Sequence, residues 1–330
     1  MANLLFAYNK KKQLISVKHY SPKESYYCPD CGDKLICKQG TIKIPHFAHH
    51  KKTNCEGLSE GETQEHLRLK QLFWASGYSC GERWELEKPL PKLKQRPDLL
   101  QNHTAVEIQC SSLKISRLIQ RFAGYQRGGY LDWWLLGPKL WPKRSWTILQ
   151  KHFCSYDQSN GFHLWLIDFK GIYLLSHIKK INHRYYYTKT VFPFHSIPLL
   201  AIKQVATEEE IAINFNYQQI QNKKKILAAK LASFDPGIKP LQQFLYQQNQ
   251  HLLRLPEWMY LPSQYAFLYN EAYIIFRYLY SLNPDKPATV IQHFEKFCTE
   301  NKFAWYFPRI NEEKMMNGFM AETRRFILKG

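Results

Sequence analysis

A hairpin signal in the middle of the chain determines which side chains face each other. The segment RPDLLQNHTAVEIQC, residues 96–110, has two apolar runs on either side of the polar pair Asn102 and His103. If these two residues are the centre of a two-residue turn, paired positions sum to 205, so Asp98 stands opposite Glu107 on one sheet face. Gln109, two residues beyond Glu107, projects from that same face.

Two opposed carboxylates destabilise a strand pair unless a positive charge compensates them. A hard divalent cation such as Mg²⁺ or Mn²⁺ prefers oxygen ligands and would provide that charge. It would also polarise a phosphate and lower the pKa of its bound water. Asp98 and Glu107 are therefore predicted ligands of a catalytic metal ion, and Gln109 is placed to orient a water molecule or touch a phosphate.

The charge balance predicts a polyanionic partner. The 330 residues carry 46 Lys and Arg against 27 Asp and Glu, a formal net charge of +19. No stretch has the pattern of a basic helix at a membrane surface, so nucleic acid is the expected partner, although such charge can also serve solubility alone. Arg96, with Lys88, Lys92 and Lys94, would hold the polyanion against the acid pair.

The segment before the hairpin predicts a helix that ends at Gly77. Ser59 is a candidate N-cap, with Glu62 three residues later as in a capping box. Glu62, His66 and Lys70 follow at intervals of four, so they form one stripe that can face the acid pair. The alternative is that Glu62 only caps the helix and Lys70 is a solvated charge.

The first 58 residues contain a pattern of zinc ligands. Cys28 and Cys31 form a C-x-x-C knuckle, and histidines and Cys55 follow within about 30 residues. We favour Cys28, Cys31, His49 and Cys55 as the ligands of a structural zinc ion, with His46 as the substitute for His49. The alternative is a set of scattered cysteines with surface histidines.

The C-terminal half changes from strands to helices. The pair FHLWLIDF and GIYLL predicts two strands joined at FKG, and from about Glu208 long apolar-periodic segments predict helices separated by Pro and Gly. INHRYYYTK and NKKKILAAK are the best local nucleic-acid candidates here, since they combine basic groups with, in the first, three tyrosines. The alternative for the three lysines is a solvated helix face.

Several motifs together resemble a known family. PD before the turn and E-x-Q after it resemble the PD-(D/E)xK nuclease core, with Gln109 where that pattern usually has Lys. YYCPDCGDKLICKQGTIKIPHFAHH, GETQEHLRLK, RPDLL, VEIQCSS and RFAGYQ, in this order, resemble the competence protein CoiA family over about residues 1–140. The resemblance implies a cytoplasmic bacterial protein acting on incoming single-stranded DNA or on recombination intermediates during natural transformation.

The resemblance also assigns roles to residues. Asp98, Glu107 and Gln109 match the nuclease motif, and Glu62 matches the acid of the leading helix, so these four are the expected catalytic residues. Arg121 and Tyr125 match a helical element that supports DNA or the catalytic acids. The expected nucleic-acid-binding residues are therefore His66, Lys70, Arg96, Arg121 and Tyr125.

The predicted architecture is an α+β chain with three parts. These are a zinc-ribbon-like module at 1–58, a nuclease-like domain with a mixed sheet in α-β-β-α-β order at 59–150, and a β extension with a mainly helical domain at 151–330. No apolar stretch is long enough to span a membrane, and no Gly-rich loop predicts a nucleotide cofactor.

Three functions are compatible with this sequence. The first is a Mg²⁺- or Mn²⁺-dependent deoxyribonuclease, which the paired acids favour. The second is a catalytically weak or inactive DNA-binding recombination mediator, which Gln109 favours because an amide cannot supply the positive charge of Lys. The third is a nuclease that uses the same chemistry on RNA. Recombination proteins are partners only by resemblance.

Overall fold

The computed structural model describes residues 4, 6–29, 31–40, 45–50, 63–182, 184–207, 217–303 and 307–328. Its strands are β1 (Phe6–Asn9), β2 (Leu14–Ser16), β3 (Tyr26–Tyr27), β4 (Lys34–Lys38), β5 (His46–His49), β6 (Glu85–Leu86), β7 (Leu99–Gln101), β8 (Thr104–Gln109), β9 (Leu131–Leu136), β10 (Ser155–Asp157), β11 (Gly161–Ile167), β12 (Gly171–Ile181) and β13 (Arg184–Pro193). Its helices are α1 (Gln64–Ser79), α2 (Ile115–Arg127), α3 (Ile148–His152), α4 (Leu199–Lys203), α5 (Tyr217–Ala232), α6 (Lys239–Gln247), α7 (Ala266–Tyr269), α8 (Tyr273–Leu282), α9 (Pro287–Glu300) and α10 (Glu312–Ile327). An antiparallel N-terminal sheet, a mixed sheet and a helical C-terminal part confirm the predicted α+β class.

The N-terminal residues form an antiparallel sheet in the order β2-β1-β3-β4-β5. Its buried core includes Tyr26, Leu35 and Phe47, whose side chains pack together. On β5, His46 stands opposite Lys38 and His49 stands opposite Leu35. Because side chains alternate along a strand, the two histidines point to opposite faces, and only one of them can join a site on a given face.

The predicted hairpin is present in the predicted register. β7 and β8 pair residues 99 with 106, 100 with 105 and 101 with 104, so each pair sums to 205. The turn is at Asn102 and His103, and Asn102 has the left-handed φ of 51° that a tight hairpin turn requires. Extending this register by one residue places Asp98 opposite Glu107.

A mixed sheet follows from the crossover after the hairpin. The chain passes through α2 and returns as β9, which runs parallel to β8. Residues 133–136 of β9 are buried, as their apolar run predicts. The order α1-β7-β8-α2-β9 confirms the predicted sequence of elements, and the full sheet order is β13-β12-β11-β9-β8-β7-β6, with β10 paired to β11.

Helix α1 has different ends from those predicted. Its N-cap is Thr63, whose hydroxyl accepts the N–H of His66. The predicted capping pair, Ser59 and Glu62, lies outside the described residues. Gly77 does not end the helix, which continues to Ser79; a Cβ at Gly77 would lie 2.4 Å from an atom of the Trp84 ring, so the glycine allows close packing.

Two of the predicted C-terminal helical segments end early or are divided in the structure. Left-handed asparagines interrupt them: Asn249, with φ 54°, follows the end of α6, and Asn270, with φ 49°, separates α7 from α8. Residues 273–280 of α8 are all buried, because this segment is rich in Tyr, Phe and Ile on every side of the helix.

The chain divides into two compact units. The first comprises Met1–Trp141, Trp165–Tyr173 and Val191–Val205, and the second comprises Pro142–Leu164, Leu174–Thr190 and Ala206–Gly330. The domain boundaries expected near residues 58 and 150 stay a prediction. Within the described ranges, no helix combines the length and the apolar content needed to cross a bilayer.

Candidate functional site

Asp98 is buried among partners from the helix that precedes the hairpin. Its side chain meets Lys70 Nζ at 3.0 Å from Oδ1 and His66 Nε2 at 2.9 Å from Oδ2. Oδ2 also accepts the backbone N–H of Ile108 at 2.8 Å. His66 and Lys70, two members of the predicted stripe, therefore face Asp98, and both oxygens of Asp98 already have partners.

Glu107 is held by the helix that follows the hairpin. Arg121 Nη2 and the hydroxyl of Tyr125 both donate to the same oxygen, Oε1. They reach it together because residues four apart lie on one helix face. Within the part of the chain that the structure describes, no donor contacts Oε2, so this oxygen is the one left for a ligand.

The positive charge beside the acids comes from the protein itself. From the sequence, a metal ion is expected to balance the negative charges of the two opposed carboxylates. In the structure, Lys70 and His66 lie against Asp98, and Arg121 lies against Glu107. The acid pair is therefore compatible with the folded state before any metal binds.

Glu87 is a site residue that the sequence did not reveal. It is 2% exposed, and its Oε1 lies 2.9 Å from the ammonium of Lys70, which is completely buried. Its backbone N–H donates to the carbonyl of Asp98 at 3.0 Å. Alternation with Trp84 and Leu86 predicts an outward-facing residue at 87, but Glu87 has a left-handed φ of 50°, which nothing in the pattern indicates.

The two acids differ in their ionisation because their surroundings differ. Burial alone would raise the pKa of Asp98, but the charges of His66 and Lys70 together hold that pKa well below its ordinary value. Burial raises the pKa of Glu107 to about 7; Arg121 opposes this effect, while the charge of Asp98 adds to it. The site thus combines one firmly ionised carboxylate with one whose pKa is raised above its ordinary value.

Other predicted site residues are buried nearby or lie outside the described residues. The Gln109 amide donates to the carbonyl of Ser111 at 2.8 Å, so it is held against the backbone. Arg96 is 6% exposed, and its carbonyl accepts from Arg121. Glu62 lies outside the described residues. The nucleic-acid contacts expected of His66, Lys70, Arg96, Arg121 and Tyr125 stay a prediction.

A second group of candidate ligands lies in the N-terminal sheet. One potential ligand atom each from Cys28, Cys31 and His49 lies within 4.8 Å of the others, and Cys31 Sγ is 3.2 Å from His49 Nε2. Gly32, with φ 76°, closes the knuckle by donating its N–H to the carbonyl of Cys28. Two thiols and an imidazole are donors that zinc prefers, so the group could hold a metal ion.

The remaining predicted ligands of that group have different outcomes. His46 does not join it, in keeping with its place on the other face of β5. Cys55, the predicted fourth ligand, lies outside the described residues.

Comparisons with known proteins match the first two thirds of the chain. The model for "Competence protein CoiA, N-terminal domain" matches residues 7–57, and the model for "Competence protein CoiA, nuclease-like domain" matches residues 62–210. A protein of Bacillus subtilis (strain 168), "Competence protein CoiA", is 28% identical over 142 residues, which are 42% of this chain and 36% of that relative. The match thus spans just over a third of the relative's length. No solved structure matches significantly.

Proposed function

Because the chain belongs to the competence protein CoiA family and carries its nuclease-like domain, we propose that it is a Mg²⁺- or Mn²⁺-dependent deoxyribonuclease of the PD-(D/E)xK type. Its expected substrate is incoming single-stranded DNA or a recombination intermediate in the cytoplasm during natural transformation. The observation that carries the proposal is the buried pair of Asp98 and Glu107, in which Glu107 Oε2 has no donor among the described residues.

Each residue of the site has a role in this proposal. Asp98 and Glu107 would hold the cation, which when bound polarises the scissile phosphate and lowers the pKa of water. Lys70 and His66 orient Asp98, and Arg121 with Tyr125 would keep Glu107 in place through Oε1. The site is therefore preorganised on two helices and a hairpin rather than on flexible loops.

Cleavage of labelled DNA by isosteric variants tests the proposal. We expect Asp98→Asn and Glu107→Gln each to lower Mg²⁺- or Mn²⁺-dependent cleavage on the order of a hundredfold or more, because a bound metal contributes several kcal/mol to the transition state. The matched control is Glu85→Gln on β6, whose side chain is 55% exposed and paired to Lys88, and which should cleave like the wild type. Equal activity in all four proteins would remove the assigned site.

Substrate preference needs a second comparison. Single-stranded DNA, duplex DNA and RNA of one sequence should be tested side by side, and faster cleavage of RNA would favour the third function over the first. These substrates share the phosphodiester chemistry, so the relative rates report recognition.

The alternative is a DNA-binding recombination mediator without cleavage, and one observation favours it. The Gln109 amide is bound to Ser111 and supplies no positive charge, and both oxygens of Asp98 have protein partners. If neither the wild type nor the acid variants cleave, yet all bind DNA with a steep dependence on salt, the mediator function is the correct one.

We also infer that Cys28, Cys31 and His49 hold a structural zinc ion, with Cys55 as the expected fourth ligand. The purified chain should contain about one equivalent of zinc by mass spectrometry, because these donors fit a closed tetrahedral site. The double variant Cys28→Ser, Cys31→Ser should lose the zinc and destabilise the N-terminal sheet. Cys37→Ser, in the same sheet but outside the group, is the control; zinc retained in the double variant would refute the ligand set.

A further inference from the structure

Two basic segments of the second unit meet in one pocket. The end of β12 and the start of β13 contribute Lys180, Asn182 and Tyr186, and α5 contributes Asn222 and Lys223. Asn182 and Tyr186 belong to INHRYYYTK, which Lys180 directly precedes, and Asn222 and Lys223 belong to NKKKILAAK, more than 30 residues further along the sequence. The pocket has a volume of about 240 Å³. The pocket shares no residue with the acid pair of Asp98 and Glu107 or with the candidate zinc ligands Cys28, Cys31 and His49.

The pocket lies beside a cluster with more positive than negative charge. Lys223 and Lys230 both pair with one carboxylate, that of Glu271. Lys180 donates to the amide oxygen of Asn270 at 2.5 Å instead of to an acid. Burial lowers the pKa of Lys180; Glu271 opposes this effect, and the like charges of Lys230 and Lys223 add to it. Among the described residues, these three ammonium groups thus share the single carboxylate of Glu271. We name Lys180, Lys223 and Lys230 the lysine cluster.

The neighbouring ion pairs do not remove this excess. Lys224 pairs with Glu257, and Arg277 pairs with Glu322, so each of these acids already has a cation. Glu271 neutralises only part of the positive charge of the three lysines, and an anion in the pocket would balance the remainder. A phosphate group fits this need because it can accept hydrogen bonds from two ammonium groups at once.

The pocket wall also offers an aromatic face. Tyr186 is half-buried and lines the pocket, whereas its neighbour Tyr185 packs against Trp146 in the core. The exposed amides of Asn182 and Asn222 add donors and acceptors at the rim. An aromatic ring, ammonium groups and amides within one pocket are the combination that proteins use to hold an unstacked nucleotide.

We propose that this pocket binds one nucleotide of a single-stranded nucleic acid, with the base against Tyr186 and a backbone phosphate at Lys180 and Lys223. The volume supports one unit of a strand, since pockets for whole drug-sized ligands measure about 300–1,000 Å³. A base can enter only when it is free of a duplex. The three-lysine run is thus not a uniform solvated face: Lys225 is exposed, but Lys223 is buried at the pocket.

Binding of a labelled oligothymidylate to the full chain, without added Mg²⁺ or Mn²⁺, tests the aromatic contact. Tyr186→Ala should weaken binding on the order of tenfold, because stacking of one base on an aromatic ring has an effect of that size. Tyr187→Ala is the matched control, since Tyr187 is the next residue, is 36% exposed and does not line the pocket. Tyr186→Phe should bind like the wild type because it keeps the ring face.

The salt dependence tests the phosphate contact. Lys180→Gln should reduce the slope of log affinity against log salt by about 0.7, the value for one phosphate contact of a single strand. Lys179→Gln removes the same charge at a residue that does not line the pocket, and should leave the slope unchanged. Both variants have the same net charge, so a difference between them reports the pocket alone.

Three results would overturn the proposal. They are equal binding by Tyr186→Ala and Tyr187→Ala, binding of thymidine monophosphate as tight as that of the oligonucleotide, and an equal effect of Tyr186→Ala on duplex binding.

Photocrosslinking of a 5-iodouracil oligonucleotide to the wild type gives an answer even if a variant misfolds. The crosslink should map to the peptide that contains Tyr186, and crosslinks confined to the first unit would contradict the site. Because metal-dependent cleavage is not measured, failure here leaves the nuclease proposal untouched.

Discussion

The acid pair and the lysine cluster differ in how their buried charges are matched. In the first unit, Asp98 and Glu87 share Lys70, and Glu107 has Arg121. In the described part of the second unit, three lysines share the carboxylate of Glu271 through direct pairing or electrostatic contact. The carboxylates of the acid pair therefore each contact a cationic side chain, whereas Lys180 of the cluster has an amide oxygen as its partner and no carboxylate among the described residues.

The difference explains how deeply each lysine can be buried. Lys70 is completely buried because two carboxylates and their hydrogen bonds replace its water. Lys180 and Lys230 keep part of their surface in solvent, which supplies what Glu271 cannot. We call Lys70, Asp98, Glu87, Glu107 and Arg121 the matched cluster, because each of its charges contacts an opposite charge. Its stability depends on every partner being present, whereas the net positive charge of the lysine cluster can change with pH or with a bound anion.

The largest effect should follow from breaking the matched cluster. Lys70→Met keeps the volume of the side chain but leaves Asp98 and Glu87 without their shared cation. We expect a loss of about 3–5 kcal/mol in the free energy of unfolding, because buried charges without partners are strongly destabilising. Urea denaturation, followed by a spectroscopic signal of the first unit, measures this loss.

Lys139→Met is the matched control for this experiment. The side chain of Lys139 is 70% exposed and lies 4.0 Å from Glu65, so its loss should cost less than about 0.5 kcal/mol. Adding Asp98→Asn and Glu87→Gln to Lys70→Met should recover part of the stability, because the unpaired charges are then gone. If Lys70→Met costs no more than Lys139→Met, the acid pair does not depend on Lys70.

The contacts of the matched cluster were only partly predictable from the sequence. The two-residue turn fixes the register of the hairpin, and a helical interval of four places His66 and Lys70 on one face, so both features follow from local geometry. Glu87 could not be predicted because its side chain reaches Lys70 from a left-handed backbone position. Arg121 entered the prediction only through the family resemblance.

The lysine cluster was less predictable still. Composition singles out the two basic segments, but not which lysine of the run at 223–225 turns inward, because the packing of α5 decides the phase of its faces. The helix breaks at Asn249 and Asn270 likewise depend on left-handed backbone that asparagine tolerates but does not require. Pairwise contacts between distant segments have no signal in a single sequence.

A smaller effect on stability is expected at Lys151, a buried lysine whose pKa is influenced by Lys180 of the lysine cluster. Lys151 is 8% exposed and donates to the carbonyl of Phe267 at 2.7 Å, and none of the described carboxylates pairs with it. Burial lowers its pKa to about 8, with a further contribution from Lys180. The nearby Cys154 thiol stays neutral near pH 8 because burial raises its pKa to about 12. The positive charge of Lys180 in the lysine cluster therefore contributes to the lowered pKa of Lys151.

The sign of the resulting pH dependence follows from proton binding. Below pH 8, Lys151 is protonated in both the folded and the unfolded chain, and the folded state bears the cost of the buried charge. Between about pH 8 and 10.5, the folded state has lost this proton while the unfolded state keeps it, so the contribution to stability rises by up to about 1.4 kcal/mol per pH unit. The free energy of unfolding of the wild type minus that of Lys151→Met should therefore increase across this range. Taking this difference removes the opposing effect of the buried thiols, which lower stability as the pH rises above about 9. A difference that stays flat with pH would mean that Lys151 is compensated in the folded state, and the contrast between the two clusters would then be weaker than their ion pairs indicate.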